Sequence, residues 1–221
     1  MKRMRSLNQN YTILSDLSTS NLIQSYLNEV FPNPVCELNY NNLFELLICV
    51  MLSAQTLDKR VNEVTPILFN KYDTIMKLSL AQEEDLIEIL KPLGLAKVKA
   101  KNLILISKII YHDYNEEIPT SMEELTKLPG VGEKTAQVVL IEGLNIPAFP
   151  VDTHVLRVSK RLGLIKEDLT ANQASKILKE IFPIENWAIL HKQMVLFGRY
   201  LCKAKKPECL NCKLKNICNY K

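Results

Sequence analysis

The sequence predicts an all-α protein, because apolar residues recur with helical spacing along most of the chain. No segment shows the alternation of apolar and polar residues, enriched in β-branched types, that is typical of a half-buried strand. The 221 residues are 47% hydrophobic and 24% charged, which suffices to bury one sizeable core or two small ones. The composition is that of a compact globular protein.

The helices are predicted from their apolar faces and from the residues that interrupt them. The first, 20–31, ends before Pro32, and the segment 42–54 is apolar on all sides and is therefore expected to be central. A capping box at Ser121–Glu124 predicts a helix start there. Pro147 and Pro150 interrupt the pattern and indicate a domain boundary. The remaining helices are predicted at 57–69, 83–91, 96–111, 134–143, 153–162, 172–181 and 187–201.

Neither the N-terminal segment nor the longest apolar run indicates export or membrane insertion. The N-terminal segment 1–16 has basic residues but no apolar region of the kind found in secretory signals, so a cytoplasmic protein is expected. The longest apolar run, 43–54, contains Glu45 and is shorter than the roughly 20 residues that a membrane span needs. We therefore expect no membrane partner.

Charges are unevenly distributed along a chain whose net charge is only +4. Residues 186–221 contain eight Lys or Arg and one acid, Glu208, and residues 91–108 contain five lysines and no acid. A basic face suits a polyanion, because each phosphate that it neutralises releases condensed counterions. Charge alone supports an ordinary solvated lysine face equally well.

The segment 128–139, LPGVGEKTAQVV, places two glycines between predicted helices. Gly130 and Gly132 permit positive φ and a close approach of phosphate to backbone N–H groups at a helix N-terminus. Such groups bind the DNA backbone without reading base edges, so no sequence preference is expected. The alternative is an ordinary helix–turn–helix corner with glycine at the cap.

Lys134 is the candidate nucleophile, because it follows these glycines at the start of a helix, where the dipole disfavours a positive charge. Bringing an ordinary lysine, with a pKa near 10.4, to half neutral at pH 7 costs roughly 4 kcal/mol, which desolvation can supply. A lysine that only contacts phosphate is the alternative. Asp152, 18 residues downstream, is a second candidate, although aspartate is also a preferred helix N-cap.

Four cysteines within 17 residues form the pattern C-x6-C-x2-C-x5-C near the C-terminus. A reducing cytosol disfavours disulfides, so this spacing favours a metal site, either a tetrahedral zinc or an iron–sulfur cluster. The spacing by itself does not separate the two. The predicted ligands are Cys202, Cys209, Cys212 and Cys218.

These motifs together resemble the endonuclease III family of DNA glycosylases. The glycine turn resembles the helix–hairpin–helix, and Pro150–His154 resembles the Gly-Pro-Asp region, although the glycine of that name is absent here. The cysteine spacing resembles the family's [4Fe–4S] loop, and the resemblance covers 22–218. It implies a six-helix barrel-like domain with the hairpin at 36–147 and an iron–sulfur domain formed by 1–35 and 148–221, with a DNA-binding cleft between them.

The resemblance also implies roles for individual residues. Lys134 would form a Schiff base at C1′ of the sugar, and Asp152 would assist its deprotonation and stabilise positive charge on the deoxyribose. Gln55 would enter the gap left by a flipped nucleotide, and Leu95 would wedge into the opposite strand, in keeping with the few kcal/mol that base extrusion costs. A helix C-cap role for Gln55 and a helix-closing apolar contact for Leu95 are the alternatives. The lysines of the cysteine loop, which would grip phosphate, are Lys203, Lys205 and Lys206.

The function implied by the resemblance is removal of oxidised pyrimidines from duplex DNA, followed by β-elimination 3′ to the abasic site. A monomer that is associated with the nucleoid through DNA, and that carries a [4Fe–4S] cluster, is expected. The adenine-removing relatives lack the lysine and have an added C-terminal domain, so Lys134 and the chain's end at Lys221 argue against them. A non-catalytic DNA-binding module and a small iron–sulfur electron carrier are the rivals from other classes, and the carrier leaves the hairpin unexplained.

Overall fold

A computed structural model describes residues 17–220, which contain helices and no strands. This confirms the all-α prediction for the described part of the chain, and segment 1–16, from which export was judged, lies outside it. The helices are α1 Leu17–Val30, α2 Leu43–Leu52, α3 Asp58–Lys71, α4 Ile75–Ser79, α5 Glu83–Leu90, α6 Ala96–Asp113, α7 Met122–Lys127, α8 Glu133–Gly143, α9 Thr153–Arg161, α10 Ala171–Ile181 and α11 Trp187–Leu196. Within this range no helix is long and apolar enough to cross a bilayer.

Most predicted helices are present. One helix was not predicted, and one predicted helix changes type along its length. The five-residue helix α4 was not predicted, because a single helical turn contains too few residues to show a period. The predicted helix 187–201 changes character midway, since α11 ends at Leu196 and continues as a π-helix over Phe197–Leu201. Short π-helical segments are frequent at functional sites, and this one leads directly into Cys202.

Two compact units divide the chain. One is Cys36–Pro150, and the other combines the described residues up to Val35 with those from Val151 onward. The division falls three residues beyond the boundary expected at residue 147. It lies in the proline-containing stretch between α8 and α9.

The unit 36–150 is built around α2, which is buried from Phe44 to Leu52 except for Glu45. Asn42 caps this helix by accepting a hydrogen bond from the N–H of Glu45. Helices α3, α6 and α8 pack against α2, and α4 and α5 pack against α6. Burying this much apolar surface stabilises the unit, at roughly 25 cal/mol per Å² removed from water.

The other unit is held by contacts between α1 and α11. Tyr26 of α1 meets Phe197 edge-to-face, with ring centroids 6.1 Å apart. The buried Gln193 amide of α11 donates to Asn28 Oδ1 at 2.8 Å and to the carbonyl of Phe31 at 3.0 Å. These polar bonds complete the C-terminal end of α1, where the last helical carbonyls lack intrahelical donors.

The predicted capping box at the start of α7 forms only in part. Ser121 Oγ accepts a hydrogen bond from the N–H of Glu124, as predicted. The carboxylate of Glu124, however, accepts from the Ser121 hydroxyl at 2.8 Å, so the reciprocal bond to the backbone is replaced. A complete capping box occurs instead between Thr170 and Gln173, at the start of α10.

Candidate active site and cysteine-lined cavity

The glycine turn between α7 and α8 contains one left-handed residue. Gly130 has φ +79°, as expected, but Gly132 is the extended N-cap of α8 with φ −87°. Of the two glycines that permit positive φ, only Gly130 therefore adopts it. A β-carbon at Gly132 would meet nothing within 4 Å, so the turn is open to solvent at the start of α8.

Gly130 is required for a second reason, which is its close approach to α6 and α2. A β-carbon there would lie 2.7 Å from Nδ2 of Asn102 and 3.2 Å from Cε of Met51. A side chain would therefore displace Asn102 as well as strain the backbone. Gly130 therefore allows the hairpin to pack closely against α6 and α2.

Lys134 is the second residue of α8, and its side chain is exposed. This matches the predicted position at the positive end of the helix dipole, where an ammonium is disfavoured. The desolvation by the protein that the sequence led us to expect is not present, because the side chain faces solvent.

Asp152 is the N-cap of α9 and is half-buried. Its Oδ1 atom accepts a hydrogen bond from the N–H of Val155 at 2.8 Å, as the capping interpretation predicts. Lys134 belongs to the unit 36–150 and Asp152 to the other unit.

Gln55 and Leu95 are both held in the left-handed conformation, with φ of 57° and 51°. This conformation costs a residue with a side chain roughly 1–2 kcal/mol, so each turn must be stabilised by its surroundings. Both residues line a small cavity of about 110 Å³, to which Gly130 of the hairpin also contributes. The structure thus brings three of the predicted DNA-binding residues to one place.

The surroundings of Gln55 and Leu95 bear differently on their alternative interpretations. Ser53 is the C-cap of α2, its N–H bonds the carbonyl of Cys49, and Gln55 follows two residues later in the left-handed conformation that is common just beyond a helix end. The side chain of Leu95 is 57% exposed, whereas Leu93 fills the core position. Leu95 is therefore not a helix-closing core contact, and it stands at the surface as an apolar side chain.

The four tail cysteines line one cavity of about 540 Å³. None of them forms a disulfide. Burial raises the pKa of the Cys218 thiol, and the nearby Cys202, Cys212 and Cys209 thiols add to this effect. Crowded thiols of this kind need a bound cation to ionise together. Among residues 17–220, no three His, Cys, Asp or Glu side chains converge closely enough to ligate a single metal ion.

Two arginines of α9 hold the start of the cysteine loop. Arg161 donates to Sγ of Cys202 at 3.3 Å and to the carbonyl of Lys203 at 2.8 Å, while its guanidinium lies 3.8 Å from the Tyr220 ring centroid. Arg157 donates to the carbonyl of Gly198 at 2.6 Å. Neither arginine was predicted as a functional residue, because the sequence shows α9 only as a helix that follows Asp152.

The three predicted lysines of the loop are not equivalent. Lys203 pairs with Glu208 at 2.9 Å, so it helps to hold the loop itself. Lys205 and Lys206 are exposed, and Lys206 has a left-handed backbone with φ 51°. The latter two present their charges to solvent.

Two further side chains, Lys99 of the basic stretch 91–108 and Cys49, are buried in the structure. Lys99 was counted among the basic residues of 91–108, but it is only 8% exposed and does not belong to a basic surface. The burial of Lys99 could have been inferred from its helical register, because it shares the buried face of α6 with Leu103 and Ile110. Cys49 is a core residue, as predicted, and burial raises its pKa to about 12.

Comparison with known proteins places these features in a family. Residues 48–184 match the model of the HhH-GPD superfamily of base excision DNA repair proteins. Endonuclease III of Bacillus subtilis (strain 168) is 44% identical over 87% of this chain and 88% of its own. A non-covalent endonuclease III–DNA complex superposes with a TM-score of 0.90 at 42% identity, covering 93% of this chain and 96% of that one.

A second solved structure bears on the chemistry. It is a trapped endonuclease III–DNA covalent intermediate, with a TM-score of 0.87, 43% identity and coverage of 90% of this chain and 95% of that one. The helical fold, the hairpin and the sequence similarity all indicate the same family. The chain therefore belongs to the endonuclease III family of base excision DNA glycosylases, within the HhH-GPD superfamily.

Proposed function

We propose that this protein removes oxidised pyrimidines from duplex DNA and then cleaves the strand 3′ to the abasic site. The observation that carries the proposal is Lys134, an exposed amine in the first turn of α8, directly after the glycine turn. A relative that has been trapped covalently on DNA supports a nucleophilic mechanism of this kind. The backbone N–H groups at the start of α8 suit a DNA phosphate.

In the proposed reaction, the Nζ atom of Lys134 bonds to C1′ of the damaged nucleotide as the glycosylic bond breaks. The base leaves with the bonding electron pair and takes up a proton. Opening of the sugar ring gives a Schiff base between Lys134 and C1′, which acidifies the proton at C2′. Loss of that proton breaks the C3′–O bond, and the 3′ phosphate leaves.

Asp152 is proposed to accept a proton from the amine of Lys134 and to stabilise positive charge on the deoxyribose. Its capping bond uses Oδ1 and keeps the carboxylate fixed at the start of α9. A carboxylate that is held in one orientation suits the electrostatic role, because its charge need not reorient as the positive charge develops.

Gln55 and Leu95 are proposed to occupy the space that the damaged nucleotide leaves and to part the opposite strand. Both residues project from left-handed turns beside one cavity, next to the hairpin that contains Gly130. An apolar and a polar side chain together offset the few kcal/mol of lost stacking and pairing.

The cysteine-lined cavity is proposed to hold a [4Fe–4S] cluster ligated by Cys202, Cys209, Cys212 and Cys218. The cavity has room for a multinuclear cluster, whose thiolates bind separate irons, whereas a zinc ion draws four sulfurs to within roughly 2.3 Å of one point. When bound, the cluster would supply a structural cross-link. Its loop presents Lys205 and Lys206, which we propose bind DNA phosphate together with Lys203.

Borohydride trapping tests the lyase proposal. Wild-type protein that is incubated with a duplex containing one abasic site, in the presence of borohydride, should form a covalent protein–DNA adduct. Lys134→Ala should lose the adduct while retaining DNA affinity, and Lys77→Ala, which removes an exposed lysine of α4, should trap like wild type. A wild-type protein that binds the duplex but gives no adduct would be a binding module, not a lyase.

Anaerobic purification tests the cofactor proposal separately. The protein should be brown, with close to four irons and four sulfides per chain, and each Cys→Ser change at the four ligands should lower both. Cys36→Ser should leave the iron content unchanged, because Cys36 lies in the other unit. A colourless protein containing one zinc per chain would contradict the cluster.

A further inference from the structure

Lys99 is a buried lysine in the unit that contains the hairpin. It lies in the first turn of α6 and donates hydrogen bonds to three acceptors. These are the carbonyl of Leu52 at 2.9 Å, the hydroxyl oxygen of Thr56 at 2.6 Å and the carbonyl of Leu93 at 3.3 Å. All three protons of the ammonium thus have a partner inside the protein. No proton remains for contact with DNA phosphate.

The three acceptors come from two separate segments of the chain. Leu52 and Thr56 flank the turn that contains Gln55, and Leu93 precedes the turn that contains Leu95. Thr56 strengthens the connection, because its hydroxyl donates to the carbonyl of Leu93 at 2.8 Å. Lys99 and Thr56 therefore link the two left-handed turns through a closed set of hydrogen bonds.

The chemistry of the site explains why a charged residue is used there. Leu52 is the last residue of α2, and a cation at a helix C-terminus interacts favourably with the dipole. Burial lowers the pKa of Lys99, so the protein forgoes some stability to keep a cation in this place. An apolar side chain would take the ammonium donor away from the buried carbonyl of Leu52 and leave that of Leu93 with the Thr56 hydroxyl, which is itself unfavourable.

We propose that Lys99 is a positioning residue, which holds the Gln55 and Leu95 turns in a fixed relation so that both side chains enter the duplex together. The inference rests on the proposed function of Gln55 and Leu95. Left-handed conformations at residues other than glycine persist where the surroundings over-determine them, and here both turns share one ammonium. Two independently mobile turns would reach the duplex less often in the joint arrangement that extrusion needs.

Two substrates separate this role from a contribution to stability alone. A duplex with one thymine glycol requires extrusion of a paired nucleotide before chemistry. A single-stranded oligonucleotide with one abasic site has no partner strand to leave, so its cleavage needs the chemistry at Lys134 but no extrusion from a duplex. A variant that merely unfolds part of the protein lowers the rates on both substrates by the same factor.

The variants are Lys99→Met, which keeps an unbranched stem without the cation, and Thr56→Val, which removes only the bridging hydroxyl. Lys77→Met is the matched control, because Lys77 is an exposed lysine of the same unit, paired with Asp73 at 2.8 Å. Single-turnover rates are measured on both substrates for each variant and for wild type.

We expect Lys99→Met to lower the rate on the duplex at least tenfold and the rate on the single strand less than twofold. Thr56→Val should show the same pattern with a smaller loss, and Lys77→Met should match wild type. An unchanged duplex rate, or equal losses on the two substrates, would overturn the inference; if Lys99→Met does not fold, Thr56→Val decides by the same criterion. Absence of wild-type cleavage on the duplex would instead defeat the proposed function, whereas a wild type that cleaves the duplex but not the single strand would overturn the inference alone.

Discussion

Asp152 shows how one side chain carries a structural and a proposed chemical role. Its Oδ1 atom caps α9 through the N–H of Val155, which is sufficient to explain an aspartate at this position. The capping bond also fixes the carboxylate, so the structural role prepares the chemical one. The two roles are separable because asparagine caps a helix about as well as aspartate does, but carries no charge.

We predict that Asp152→Asn leaves the free energy of unfolding within about 0.5 kcal/mol of wild type, since the cap is kept and only the charge–dipole interaction is lost. Asp152→Ala should destabilise the protein by about 1–2 kcal/mol. Both should lower the glycosylase rate about 100-fold or more, if the carboxylate takes part in proton transfer. Urea denaturation and single-turnover rates measure the two effects, and an active Asp152→Asn variant would show that Asp152 is only a cap.

At the level of single residues, the sequence predicted where a residue lies on its helix better than it predicted which side chains surround it. Lys134 is in the first turn of α8 and Asp152 at the start of α9, as their motifs indicated. The sequence did not indicate that Lys99 bonds Leu52, Thr56 and Leu93, or that Lys203 pairs with Glu208, because these contacts depend on segments far apart in the chain or on loop conformation. Partners of this kind follow from packing, which periodicity does not specify.

The elements that present the candidate residues are turns held by tertiary contacts. The hairpin needs glycine at 130 for its φ of +79° and for its approach to Asn102, whereas Gly132 needs neither. The turns at Gln55 and Leu95 have no glycine at their left-handed positions. Sequence rules for turns predict glycine or asparagine there, so these two conformations could not be predicted from the sequence.

The two hairpin glycines should respond differently to alanine. We predict that Gly130→Ala destabilises the protein by about 1–3 kcal/mol, because the β-carbon would sit in a left-handed residue 2.7 Å from Nδ2 of Asn102. Gly132→Ala should change stability by less than about 1 kcal/mol, since its backbone is extended and nothing lies within 4 Å of the new atom. Urea denaturation of the two variants checks this, and equal losses would show that the close approach of Gly130 is unimportant.

Helix prediction succeeded where amphipathic periods were long and failed where they were short. The segment around α2 was expected to be central because it is apolar on all sides, and eight of the ten residues of α2 are buried in the structure. Helix α4 has only five residues. The residues of the π-helical turn after α11 would suit an α-helix equally well, so the sequence does not distinguish the two. Such local changes depend on hydrogen bonds that the hydrophobic pattern does not encode.

On the scale of the whole molecule, the chain forms two units, and the proposed chemistry draws on both. The hairpin, Gln55, Leu95 and Lys99 belong to the unit 36–150, whereas Asp152 and the four cysteines belong to the other. The sequence located the division near Pro147 and Pro150, and contacts place it after Pro150. The amine of Lys134 is exposed, so in the proposed reaction its desolvation would come from the bound DNA.

The most direct test of the central claim identifies the atom that bonds to DNA. After borohydride reduction on an abasic-site duplex, the adduct is digested and the modified residue is located by mass spectrometry. We predict that the DNA remnant lies on Lys134 in nearly all of the adduct. An adduct on another amine, or none from a protein that binds the duplex, would contradict the assignment of Lys134 as the nucleophile.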